Sequence, residues 1–158
     1  MDPGIPLHIV LLEPEIPQNT GNIARTCSAL GAVLHLIEPL GFSLEDRYLR
    51  RAGLDYWPLV QVRVHSNLEA FFQECGPEHL YLASRRGKRF YTEVRYPDPC
   101  YFLLGKESVG LPQEILDRFP DRVVRIPTKE GVRSLNLSSA AAVLAYEYAR
   151  QKGFPGLT

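Results

Sequence analysis

Apolar residues fall along the chain in short runs set apart by polar, glycine-bearing and proline-bearing stretches. Residues 7–12 (LHIVLL) form a continuous apolar run of strand length, as a strand buried on both faces does. The run ends at Glu13-Pro14-Glu15-Ile16-Pro17, where two prolines oppose helix. A helix is predicted over 20–30, closed by Gly31 as its C-terminal cap. Residues 33–37 read as a second strand, broken by Pro39 and Gly41, and 46–52 as a short helix. In 59–64, Val60, Val62 and Val64 alternate with Gln61 and Arg63, which predicts a strand. Ser66-Asn67-Leu68-Glu69 has the form of a capping box, starting a helix that runs to about 74.

Further strands are predicted at 80–83, 101–104 and 123–126. A helix from Pro112 to Arg118 begins with proline in its first turn. The last helix spans 137–152, with Leu137, Ala141, Leu144 and Tyr148 at helical spacing and Gly153 at its end. The residues beyond read as a loose tail. Five or six short apolar strands separated by helices imply an α/β fold with a mostly parallel sheet. No repeat, low-complexity tract or linker interrupts it, so residues 1–158 read as one domain.

Composition sharpens this picture only in places. Formal net charge is zero, so any contact with nucleic acid must come from local clusters rather than from an overall basic field. No apolar run reaches the roughly 18 residues of a membrane span. The N-terminus lacks the basic start and apolar core of a signal peptide. Cys27, Cys75 and Cys100 are odd in number, which suggests free thiols in a reducing cytoplasm. His8, His35, His65 and His79 are scattered. Neither residue type shows the spacing of a metal-binding set, so no metal is expected.

In a parallel sheet, ligands bind beyond the carboxyl ends of the strands. Three polar, glycine-rich segments follow strands here: 14–25, 105–112 and 127–136. The second, Gly105-Lys106-Glu107-Ser108-Val109-Gly110, has the glycine spacing of a phosphate loop. Leu111-Pro112 stands where the phosphate-gripping lysine should be, which rejects that reading. No Gly-x-Gly-x-x-Gly follows the first strand and no Gly-x-Ser-x-Gly elbow is present. In the first segment Asn19, Asn22 and Thr26 surround a helix start. Asn22 and Arg25 share a helical face, and Arg25 can form two parallel bonds to a phosphate. In the third, Ser134, Asn136 and Ser138 crowd another helix start where one cap suffices.

Three stretches, in order and spacing, resemble the signature motifs of the SPOUT ribose 2′-O-methyltransferases. They are Asn-Thr-Gly-Asn-Ile-Ala-Arg at 19–25, Phe-Leu-Leu-Gly-Lys-Glu-Ser-Val-Gly-Leu-Pro at 102–112, and Arg-Ile-Pro followed by Ser-Leu-Asn-Leu-Ser-Ser within 125–139. The stretches 13–22 and 50–56 are similar to the minimal tRNA (cytidine/uridine-2′-O)-methyltransferases, which carry no added RNA-binding domain. The resemblance implies a deep trefoil knot and cofactor site over roughly 80–152, with S-adenosylmethionine held by Ala83, Ser84, Gly105, Glu107, Gly110, Ile126, Ser134 and Leu135. It implies a cytoplasmic homodimer joined through the first and last helices. Its substrate is the wobble nucleotide, position 34, of tRNA, with leucine isoacceptors the expected class. Arg25, Asn19, Glu107, Ser134 and Asn136 match the family's functional positions. Arg25 is expected to clamp a phosphate and stabilise the developing alkoxide, and Glu107 to hold Arg25 or the cofactor's amino group.

Arg47, Arg50 and Arg51 share a helical face, and Arg85, Arg86, Lys88 and Arg89 form the densest basic stretch. Both are candidate RNA contacts, with Tyr56, Trp57 and Tyr91 as aromatic neighbours. Rival readings are a ribosomal RNA methyltransferase, a non-catalytic RNA-binding dimer of the same fold, and a small-molecule enzyme on an unknotted doubly wound sheet.

Overall fold

The structure is a computed structural model and describes residues 4–47, 49, 51 and 59–158. Among the described residues there are seven strands: β1 (Leu7–Leu12), β2 (Val33–Ile37), β3 (Val62–His65), β4 (Leu80–Ala83), β5 (Arg89–Phe90), β6 (Cys100–Gly105) and β7 (Val123–Arg125). They form one sheet in the order β3-β2-β1-β6-β4-β7-β5, and every pairing is parallel. Among the described residues, α1 (Pro17–Leu30), α2 (Leu68–Cys75), α3 (Gln113–Arg118) and α4 (Leu137–Gln151) cover it.

The continuous apolar strands are explained by two cores, one on each face of the sheet. Leu7, Ile9, Leu11, Phe102 and Leu104 pack with Ile23, Cys27 and Leu30 of α1 and with Leu144 and Tyr148 of α4. Val10, Leu12, Ile37 and Leu103 pack on the opposite face with Phe71 of α2 and with Ile115 and Leu116 of α3. Successive side chains of a strand point to opposite faces, so a strand buried on both sides loses the polar alternation of a half-exposed one, with His8 and His35 the polar exceptions in β1 and β2.

Several predicted boundaries shift, each for a local reason. Helix α1 begins at Pro17 rather than Thr20. Proline at the first helical position gives up an N–H that has no helical partner. Gly31 closes α1 at φ 72°, as expected. The cap of α2 is Asn67, whose side chain accepts from the Ala70 N–H at 2.8 Å, not Ser66. Strand β3 starts only at Val62. As an edge strand it leaves Val64 exposed, so its valines do not face one core. The predicted 46–52 helix lies partly outside the described residues. The C-terminal end is anchored: Leu157 packs against the first core and the Phe154 N–H donates to the Ala149 carbonyl at 2.8 Å.

The two-residue strand β5 was not predicted. Val124 of β7 is the partner of both Ala83 on β4 and Arg89 on β5, so β7 lies between two strands joined by residues 84–88. That connection crosses β7 at Gly87, where an added Cβ would stand 3.0 Å from the Val124 carbonyl carbon and 3.1 Å from the Val123 oxygen. Glycine is required there by the approach of two backbones.

The four histidines are distant in sequence, yet three converge. His8 Nδ1 lies 2.8 Å from His35 Nε2, and His35 Nδ1 lies 2.9 Å from His65 Nε2. His65 Nδ1 lies 3.3 Å from Glu74 Oε2. Burial, then the Arg63 charge, lowers the His8 pKa to about 4. Burial also lowers His35, to about 3, with His8, His65 and Arg63 adding to the effect. His65 is lowered too, by burial against the opposing pull of Glu74. Burial thus favours the uncharged form of all three rings, and one proton per ring satisfies every contact in the row.

Candidate active site

The carboxyl ends of β6, β4 and β7 are neighbours at one edge of the sheet. Leu82 pairs with Leu103, and Ala83 with Val124. This register brings Ala83, Ser84 and Gly105 to one level, with Ile126 one residue past the end of β7. The Ser84 N–H donates to the Val124 carbonyl at 3.0 Å, and the Ser84 hydroxyl accepts from the Arg86 N–H at 3.1 Å. Four of the predicted cofactor positions thus stand on three adjacent strand ends, where an α/β sheet places its ligands.

The loop after β6 is drawn tight. A Cβ on Gly105 would meet Leu111 Cδ2 at 2.5 Å and its backbone nitrogen at 2.9 Å. Gly110 adopts φ 70°, and its N–H donates to the Lys106 carbonyl at 2.8 Å. The loop is also locked reciprocally to the 13–16 segment. The Glu107 carboxylate accepts from the Glu15 N–H at 2.9 Å, the Ile16 N–H at 2.8 Å and Asn19 Nδ2 at 3.2 Å. In return Glu15 accepts from the Ser108 N–H at 2.8 Å, which holds its carboxyl below the usual range. Lys106 Nζ lies 3.3 Å from Glu13 Oε1. Ile16, the residue preceding α1, supplies no side-chain cap. The carboxylate at the helix start therefore comes from Glu107, 91 residues later, where the helix dipole favours a negative charge.

Both Glu107 oxygens are engaged at the start of α1, which differs from the expectation that this carboxylate holds Arg25 or a cofactor amino group. Asn19 is buried beside it, whereas Arg25 is exposed. Six residues at about 100° each turn Arg25 roughly 120° away from the Asn19 face. Asn136 is the N-cap of α4, accepting from the Ser138 N–H at 2.9 Å and the Ser138 hydroxyl at 2.6 Å. Ser134 and Leu135 are exposed on the preceding loop. Three large apolar side chains on the loops that follow β6 and β7 are exposed: Val109 at 71%, Val132 at 59% and Leu135 at 40%.

The basic stretch is exposed at Arg85, Arg86, Lys88 and Arg89. Two of these have intrachain partners, Arg86 with Gln113 at 2.8 Å and Arg89 with the Asp121 carbonyl. Arg47 and Arg51 are exposed; Arg50, Tyr56 and Trp57 lie outside the described residues. A separate cleft of about 610 Å³ opens beside α2 and α3, lined by Leu12, Glu38, Pro39, Leu68 and Ile115 among others. None of the predicted cofactor positions lines it.

An all-parallel α/β sheet of this kind presents its ligand-binding edge at the carboxyl ends of its strands. Comparison with known proteins narrows the class. Residues 6–146 match the profile of the SpoU rRNA methylase family, and the chain belongs to that family. It is 51% identical over 150 residues to the tRNA (cytidine(34)-2′-O)-methyltransferase of Saccharophagus degradans, covering 94% of this chain and 97% of that one. A solved structure bearing on the 2-OH methylation of C/U34 on tRNA is 48% identical, with a TM-score of 0.89 over 97% of this chain and 99% of the other. The AdoMet-bound rRNA methyltransferase of Sinorhizobium meliloti is 26% identical, with a TM-score of 0.82 over 95% of this chain and 58% of the other.

Proposed function

We propose that this protein transfers a methyl group from S-adenosylmethionine to the ribose 2′-hydroxyl of nucleotide 34, a cytidine or modified uridine, in the anticodon loop of tRNA. The observation that carries this reading is the convergence of Ala83, Ser84, Gly105 and Ile126 on adjacent strand ends, in a chain about half identical to an enzyme named for that reaction.

The residues at the edge fit the cofactor. Backbone groups at the strand ends suit the amide-like edge of adenine, and Val109, Val132 and Leu135 offer apolar cover. Ala83, Ser84, Gly105, Gly110, Ile126, Ser134 and Leu135 form the binding set. When bound, the cofactor supplies an electrophilic methyl on a sulfonium. Excluding water there favours a reaction in which that charge is lost, and alignment supplies much of the acceleration. Arg25 stays protonated. It grips the neighbouring phosphate and stabilises charge developing on the attacking oxygen. Glu107 acts on α1: it fixes the helix start and Asn19, and through them the direction in which Arg25 projects. Asn136, already a cap, sets the start of α4 beside Ser134.

The crossing of residues 84–88 over β7 supports a trefoil knot across roughly 80–152, within a single domain. Arg25 faces away from Glu107 on α1, and α1 packs on α4. Tyr146 and Phe154, exposed at 45% each, and Ile16 at 42% give this region an apolar surface. These features support a homodimer joined through α1 and α4, in which Arg25 reaches the partner's strand ends. Arg47, Arg50, Arg51 and the 85–89 stretch receive the anticodon stem-loop. Among the described residues no helix is long and apolar enough to cross a membrane, in keeping with work in the cytoplasm.

The test is to incubate the protein with undermodified tRNA and labelled S-adenosylmethionine and then map the modified nucleotide. Label in the 2′-O-methyl ribose of nucleotide 34 is the expected result. Label at another position, in ribosomal RNA alone or nowhere would overturn the reading.

A further inference from the structure

The row of histidines lies on the face of the sheet covered by α2 and α3, and it includes none of the residues assigned to methyl transfer above. It ends at the sheet margin beside Cys75, the last residue of α2. One ligand atom from each of His35, His65 and Cys75 lies within 4.8 Å of the others. We propose that these three side chains bind one divalent ion of the zinc class.

The donors suit such an ion. Two imidazole nitrogens and a thiolate are its preferred ligands. The facing nitrogens of His35 and His65, 2.9 Å apart, are near the roughly 3.3 Å edge of a tetrahedron with zinc–nitrogen bonds of about 2.0 Å. The sulfur must close by about 1 Å, which a side chain at a helix end can supply.

The groups behind the ligands are placed as well. His65 presents its other nitrogen to Glu74, the carboxylate–histidine pairing that orients a metal-bound imidazole. Arg63 holds the other Glu74 oxygen at 3.5 Å. His35 is backed in the same way by His8. Burial and the Glu74 charge hold the Cys75 thiol above its ordinary range, with Tyr101 and Arg63 pulling the other way, so the ion itself must draw off the proton. Phe71 meets both rings edge-on and fixes their planes.

Binding balances simply. The Cys75 thiol releases its proton to solvent. The proton on His35 Nδ1 moves to Nε2, which then donates to His8 Nδ1, and the His8 proton moves to its own Nε2. The ion reaches the site from the margin of the sheet, since β3 is an edge strand, Glu74 is exposed and Cys75 is half-buried. Cys27 and Cys100 are buried in the opposite core, and burial pushes the Cys27 thiol up to about 12.

Titration of the chelator-treated full chain with cobalt(II) tests the site independently of methyl transfer, so its failure leaves the function above untouched. One equivalent is expected to bind, with a thiolate-to-cobalt charge-transfer band and the strong visible bands of tetrahedral cobalt, both bleached by zinc. Cys75→Ser is expected to abolish the charge-transfer band with the circular dichroism spectrum unchanged. Glu74→Gln is expected to weaken binding about 10- to 100-fold. Should Cys75→Ser fail to fold, the exposed Glu74→Gln decides, and unaltered affinity there overturns the site. Absence of a thiolate band in the parent chain, or equal binding in Cys75→Ser, also overturns it and leaves an adventitious ion only.

Discussion

The two halves of the sheet are built on different principles. In the β3-β2-β1 half, strands follow in simple succession and polarity is taken inside: His35 and His65 are buried, His8 is half-buried, and the three form one bonded row. In the β6-β4-β7-β5 half, a late strand is inserted between two earlier ones, and polarity collects outside on loops at the strand ends. The first arrangement yields a rigid, satisfied interior. The second yields an open edge lined by backbone groups and exposed apolar side chains. Helix α1 belongs to the first half by connection and to the second by function, because Glu107 holds its start.

The contrast can be broken most sharply at Arg25. Arg25→Ala is expected to cut methyl transfer by about 100- to 1,000-fold, the scale for loss of a group that stabilises developing charge. Cofactor affinity should be unchanged by calorimetry, and equal loss of both would move Arg25 into the binding set. Gly87→Val probes the inserted strand. Its added atoms collide with the β7 backbone, so a stability loss of about 1–3 kcal/mol or more is expected in urea unfolding, together with weaker cofactor binding.

His35→Leu tests the other half in chelator-treated protein. It leaves His8 Nδ1 and His65 Nε2 without their partner, at about 1–3 kcal/mol for an unsatisfied buried group. Replacing His8 by Phe in the same chain should recover part of that loss. Methyl transfer by the folded fraction should be unaffected. The smallest effect is expected at Glu15. Its folded-state pKa is depressed by the Ser108 N–H, so its contribution is present above the unfolded pKa and lost as pH falls through the folded one. Glu15→Gln should flatten the acid limb of a stability-versus-pH curve slightly, and an unchanged limb would show that the loop lock does not depend on charge.

How far the chain could be read in advance follows the same division. Strands β1, β2 and β4 stood out because each is a compact apolar run, and α4 because its apolar residues keep helical spacing. Strand β5 did not. Arg89 and Phe90 are both exposed, and nothing in a two-residue segment announces that a strand 33 residues later will pair with it. The candidate site was visible as three polar segments, but its internal bonding was not. Glu107 looked like a group aimed at a ligand, and its partnership with Glu15, Ile16 and Asn19 depends on a fold that joins residues about 90 positions apart. The histidines looked scattered for the same reason: His8, His35 and His65 stand 27 and 30 residues apart, and only the pairing of adjacent strands brings them within bonding distance.

The long reach of Glu107 also bears on how the chain matures during synthesis. A growing polypeptide that has passed residue 30 contains all of α1, but the carboxylate that closes its beginning has not yet been translated. Until β6 and the loop after it emerge and dock, the first turn of that helix must rely on solvent for its donors. The amino-terminal region is therefore a late finisher despite being made first, and stalled fragments ending before residue 107 should show a frayed opening turn that full-length chains protect from amide exchange.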